Sequence, residues 1–417
     1  MQEHALHPES LMMSYGYRPE WSEGAIKCPI FQTSTFVFPT AEEGKAHFEV
    51  AYGLRNRREG EREGLIYSRI NNPDLEILEN RLSLWDNAEE CAVFESGMGA
   101  ITTVLLEFLK PGDLLIHSSP LYGGADHFIR HFLPKQGIST LEFHPDHSKE
   151  ALSALILASG KADRLAMIYV ETPANPTNAL YDLAVCREVA DQFSSPGRRA
   201  LVAVDNTYMG PLWQHPLRWG ADFSIYSATK YIGGHSDVIA GAVCGNKENM
   251  QRIKGLRTFL GNMAGPWTGW LLLRSLETLH VRMERQAANA ALVAAFLQHH
   301  PRVEKVHYLG FLDPEKDAQQ YDVFKRQYST AGAMLAFDVS GGEDAAFQVL
   351  NRLKLVKLAV SLGSTESLAQ HPDTMTHAGV EIAHKRALGI TPGMIRLSVG
   401  VEHPDDLIWD LKQALEC

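Results

Sequence analysis

The chain has 417 residues, 45% of them apolar and 21% charged, and carries a net charge of −11. That balance is globular and excludes wholesale disorder, and the acidic excess argues against a general nucleic-acid binder. Five scattered cysteines form no C-x-x-C pair, so neither a disulfide framework nor a metal cluster is expected. No apolar run approaches the ~20 residues that span a bilayer, and MQEHALHPESLMM has no signal-peptide core. The expectation is a soluble, cytoplasmic protein without membrane or nucleic-acid partners.

Residues 1–70 read as an N-terminal arm. Pro and Thr punctuate Pro29–Pro39, and the stretch 53–64 (GLRNRREGEREG) mixes both charge signs as a solvated loop or a flap over a site. Over 71–278, apolar runs at Cys91–Phe94, Leu114–His117, Met167–Val170, Leu201–Val204, Phe223–Tyr226 and Ala240–Cys244 alternate with helix-like stretches at 73–85, 98–109 and 182–193. This alternation predicts an α/β domain with a largely parallel sheet. Residues 269–298 read as one long helical stretch. The part over 279–417 reads as a smaller α+β domain, with a helix at 343–353, strands near 333–339 and 395–399, and a last helix at 404–416.

Three clusters carry chemistry. Ser96-Gly97-Met98-Gly99-Ala100 stands between an apolar strand and a helix, where glycines let backbone N–H groups approach a phosphate. Asp205 ends a strand and would point into the crevice where α/β proteins bind ligands. Lys230, in Ser227-Ala228-Thr229-Lys230, follows another strand and is a candidate Schiff-base amine. Alone, each has a plain reading as a helix start, a cap and a surface lysine. Together they supply what pyridoxal phosphate requires, namely a phosphate cup, an acidic partner for the ring nitrogen and a lysine. Tyr122 would stack on the ring, Asn175 would hydrogen-bond a ring substituent, and Arg396 offers a fork of donors to a substrate carboxylate.

The motifs SATKYIGGH, ETPANPT, VDNTY, SGMGA, YSRINNP and IRLSVGVE resemble those of the pyridoxal-phosphate enzymes of cysteine and methionine metabolism, over nearly the whole chain. The resemblance implies an aspartate-aminotransferase-type (fold type I) architecture and a homotetramer of two active dimers. Residue by residue, it implies that Lys230 is the aldimine lysine and proton shuttle, and that Asp205 holds the ring nitrogen protonated. Tyr122 would act in proton transfer, and Gly97, Met98, Ser227 and Thr229 would bind the phosphate. Tyr67 and Arg69 would reach the phosphate of a neighbouring subunit. Asn175 would lie near the ring hydroxyl, with Ser361 and Arg396 near the substrate carboxylate.

Two departures bear on substrate. Methionine γ-lyases carry a cysteine where this chain has Gly124, and cystathionine enzymes carry a glutamate where it has Val360. The expected activity is γ-elimination from a γ-substituted amino acid, methionine, homocysteine or canavanine, through an external aldimine and a vinylglycine-type intermediate. The alternative is γ-replacement, as in cystathionine γ-synthase or O-acylhomoserine sulfhydrylase. A guanidinium-like substituent would need a carboxylate, for which Asp126 and Glu49, Glu59, Glu61 and Glu63 of a long 42–64 insertion are candidates.

Overall fold

Strands that are apolar on both faces need cover on both sides. The computed structural model, which describes residues 5–58 and 64–416, provides it. Its first sheet contains β1 (Glu90–Phe94), β2 (Leu114–Ser118), β3 (Ser139–Phe143), β4 (Leu165–Glu171), β5 (Leu201–Asp205), β6 (Phe223–Tyr226) and β7 (Gly241–Gly245), in the order β1-β7-β6-β5-β4-β2-β3. β7 runs antiparallel to both β1 and β6, and the remaining pairs are parallel. Every residue of β2, β4, β6 and β7 is buried. One face packs with Ala100, Val104 and Leu105 of the helix Gly97–Phe108. The other packs with Leu183, Cys186 and Val189 of the helix Leu183–Gln192. The α/β architecture is the one expected. β3 escaped notice because it is a half-exposed edge strand with little apolar signal.

A second sheet contains β8 (Val303–His307), β9 (Met334–Val339), β10 (Lys357–Leu358), β11 (Leu368–Gln370) and β12 (Met394–Ser398), in the order β10-β11-β12-β9-β8. Helices Gly342–Arg352 and Pro404–Leu415 share one apolar cluster with it.

The stretch expected as one long helix is two, Pro266–Leu276 and Leu279–Gln298. The break is held by Arg282, whose Nη2 donates to the Ser275 carbonyl at 3.1 Å and whose Nη1 donates to the Tyr231 carbonyl at 2.9 Å. The same Ser275 carbonyl accepts from Thr278 N at 3.2 Å and Thr278 Oγ1 at 3.3 Å, so the first helix ends on a shared acceptor. Part of the arm insertion is also helical, at Ala41–Ala51, with Thr40 Oγ1 accepting from Glu43 N at 3.1 Å as N-cap.

Candidate active site

The C-terminal ends of parallel strands are where an α/β sheet opens a crevice. Here β4 ends on Glu171, β5 ends on Asp205, and β6 leads directly into Ser227–Lys230. They surround a cavity of about 240 Å³. Gly97, Met98, Tyr122, Asn175, Asp205, Ser227, Thr229 and Lys230, all singled out in the sequence, line it.

One end is built for an anion. Gly97 opens a helix whose N-cap, Ser96, accepts from Gly99 N through its Oγ at 2.9 Å. The first N–H groups of a helix have no intrahelical acceptor and form the positive end of its dipole. A Cβ at Gly97 would stand 2.9 Å from the Ser227 Cβ, so a side chain there would push the two halves of the cup apart.

The floor carries two acids. Parallel pairing of β4 and β5 sets Glu171 opposite Asp205, both buried. Burial pushes both carboxyls up, and the Asp205 charge pushes Glu171 further. Thr207 N donates to Asp205 Oδ1 at 3.0 Å and opposes the shift. Glu171 accepts from Tyr122 N at 2.6 Å and from Asn175 N at 3.3 Å, tying together the two loops that flank the cavity. Sequence reading assigned Glu171 no role, although its place one residue before Thr172-Pro173, at a strand end, was a usable signal. Thr207 was likewise passed over; its Oγ1 accepts from Ser227 N at 2.8 Å.

Lys230 Nζ donates to Ser361 Oγ at 2.8 Å. Burial, with Arg396 as a neighbouring cation, lowers its pKa to about 8. Ser361 adopts φ +92°, a region that costs a non-glycine residue free energy and that recurs at functional sites. Its carbonyl accepts from Arg396 Nη2 at 2.6 Å, and Arg396 Nη1 donates to Asn175 Oδ1 at 3.2 Å. Lys230, Ser361, Arg396 and Asn175 thus form one connected set.

Ser361 and Arg396 do not line the cavity themselves but are bonded to Lys230 and Asn175, which do; three further predicted residues lie elsewhere. Arg69 Nη1 donates to the Thr258 carbonyl at 2.8 Å, Tyr67 is 40% exposed, and Val360 is 57% exposed; none lines this cavity. The carboxylates suggested for a guanidinium substituent are already engaged. Asp126 Oδ1 accepts from Arg130 Nε at 2.6 Å, and Glu49 pairs with Arg55 at 3.1 Å. Glu59, Glu61 and Glu63 lie outside the described residues.

The chain matches the model of the Cys/Met metabolism PLP-dependent enzymes over residues 9–416. It belongs to that family. It is 41% identical to an L-methionine gamma-lyase of Pseudomonas putida, covering 96% of this chain and 95% of that one. It is 36% identical to a cystathionine gamma-lyase of Bacillus subtilis, over 98% and 99%. Among solved structures, a cystathionine gamma synthase from Xanthomonas oryzae pv. oryzae, in complex with cystathionine, aligns with TM-score 0.85 and 31% identity, over 99% of this chain and 98% of that one. The fold is therefore fold type I, and the cofactor is pyridoxal 5′-phosphate. The site fits that group: a helix N-terminus with hydroxyls at one end, a buried acid pair at the other, and a lysine with a lowered pKa between them.

Proposed function

We propose that the protein is a pyridoxal-phosphate-dependent γ-lyase acting on methionine or homocysteine. Its similarity to methionine and cystathionine γ-lyases supports the reaction class. One observation carries the substrate reading: the cavity walls not assigned to the cofactor include Ile101, Ile239 and Leu362, while both lining carboxylates, Glu171 and Asp205, already accept backbone N–H groups. An apolar thioether suits such walls. A canavanine guanidinium would meet no uncommitted acid among the residues that line the cavity, and burying an unpaired cation is costly. Val360 likewise offers no counter-charge to the distal ammonium of cystathionine.

Bound pyridoxal phosphate supplies an aldehyde for the substrate amine and a ring that absorbs negative charge from Cα. Gly97, Met98, Ser227 and Thr229 would hold its phosphate, and Asp205 would keep a proton on its ring nitrogen. Arg396, braced by Asn175 and the Ser361 carbonyl, would fix the substrate carboxylate and so orient Cα. Lys230 Nζ, with its lowered pKa, would take the proton from Cα and move one at Cβ. Tyr122 would stack on the ring, and its hydroxyl would give a proton to the leaving sulfur.

The proposed assembly is a homotetramer of active dimers in which Tyr67 and Arg69 complete the partner's site. Their place outside their own chain's cavity supports this. The proposed cytoplasmic setting rests on the scattered cysteines, of which Cys28, Cys91, Cys186 and Cys244 are buried and in no disulfide. No helix among the described residues is long and apolar enough to cross a membrane. The test is a panel of methionine, homocysteine, cystathionine, canavanine and O-acylhomoserine, with products identified by mass spectrometry. Methionine or homocysteine should show the highest kcat/KM. Preference for O-acylhomoserine plus a thiol would replace elimination by γ-replacement.

A further inference from the structure

Arg396 is held on three sides. Besides Asn175 and the Ser361 carbonyl, the Gln370 amide, turned with its oxygen toward the guanidinium, accepts from Nε at 3.2 Å. Tyr208 stands against the same guanidinium. It lines the cavity, is only 6% exposed, and its O–H finds no acceptor, since the one group beside its oxygen, the Arg396 guanidinium, can only donate. The turn that carries it is rigid, because Asn206 Nδ2 donates to the Gly210 and Gln214 carbonyls at 3.0 and 2.9 Å. The phenol therefore cannot readily swing away to find a partner.

A buried O–H donor without an acceptor is a standing cost, and native proteins leave few of them. This one lies beside a cation at the wall of a cavity. The ligand that satisfies a guanidinium and an O–H donor together is an anion. We propose that Tyr208 is a substrate-binding residue whose hydroxyl donates to the α-carboxylate of the amino acid held at Arg396. The inference rests on the reading of Arg396 as the carboxylate site. It adds a residue that shares the anion and whose hydrogen bond is made only when substrate is present. Tyr231 provides an internal control: its hydroxyl is also unpartnered, and it too faces Arg396, but it does not line the cavity.

The experiment uses the cofactor-loaded enzyme and two unreactive probes, norleucine and pentylamine, which differ only in the carboxylate. Binding is followed by the change in cofactor absorbance. Tyr208→Phe should weaken norleucine about tenfold or more, the loss of a hydrogen bond to a charged group, and leave pentylamine unchanged. Tyr231→Phe should leave both probes unaffected. Equal effects of Tyr208→Phe on both probes, or no effect on norleucine, would each overturn the proposal. If the unaltered enzyme bound norleucine no better than pentylamine, the Arg396 reading itself would fall. Neither probe carries a leaving group, so the outcome does not depend on which γ-substituent is eliminated.

Discussion

Lys230 should destabilise the cofactor-free protein, and the size of that effect follows from its surroundings. An unfolded lysine titrates near 10.4, whereas burial and Arg396 hold this one at about 8. The folded state therefore binds the proton more weakly than the unfolded state. Below pH 8 both states are protonated and the full penalty applies. Between pH 8 and about 10.5 only the unfolded chain is protonated, so stability rises with pH; above that the penalty is gone. A shift of somewhat over two units corresponds to about 3 kcal/mol. Lys230→Met removes the penalty but also the hydrogen bond to Ser361 Oγ, worth about 1 kcal/mol. The variant should be more stable than the parent by about 2 kcal/mol at pH 7, with the difference vanishing near pH 10 and reversing above it. Urea unfolding of both cofactor-free proteins at pH 7, 9 and 10.5, at one protein concentration, measures this. A difference that does not vary with pH would refute the account of a desolvated amine.

Glu171→Leu leaves the Tyr122 and Asn175 N–H groups unpaired and should cost about 2–4 kcal/mol in urea unfolding, whereas Glu171→Gln keeps an acceptor and should cost less. Equal losses would mean that the charge, not the tether, is what matters. Coexpression of Arg69→Ala with Lys230→Ala should restore activity that neither variant has alone, because hybrid dimers assemble one complete site; no restoration would place Arg69 in its own chain's site. Val360→Glu should raise the ratio of kcat/KM for cystathionine over methionine about tenfold, a gain of one charge-assisted contact. An unchanged ratio would remove Val360 from the specificity argument.

Much of the site was legible because its residues follow apolar strands. Asp205 ends β5 and Lys230 comes just after β6, so a pattern of short apolar runs also located the proposed catalytic groups. Gly97 could be placed only jointly with Asp205 and Lys230, since a glycine between strand and helix is alone a plain helix start. Glu171 was harder. Its role depends on its cross-strand neighbour Asp205 and on two backbone N–H groups from distant loops, none of which leaves a local pattern. Tyr208 was hidden for a related reason, since whether a hydroxyl has a partner depends on packing. The helix break before Leu279 rests on Arg282 reaching back to Ser275 and Tyr231, which apolar periodicity does not report. The engagement of Asp126 by Arg130 is an i, i+4 pair and was available from the sequence. It removes Asp126 from the candidates for a substrate counter-charge.

The central claim is γ-elimination driven by Lys230, and methionine tests it most directly. Cofactor-loaded enzyme given methionine alone should release methanethiol, ammonia and 2-oxobutanoate in equal amounts, one water being consumed, and Lys230→Ala should release none and lack the absorption band of bound cofactor. Turnover by Lys230→Ala, or a wild-type enzyme that leaves methionine intact while joining O-acylhomoserine to a thiol, would contradict the account.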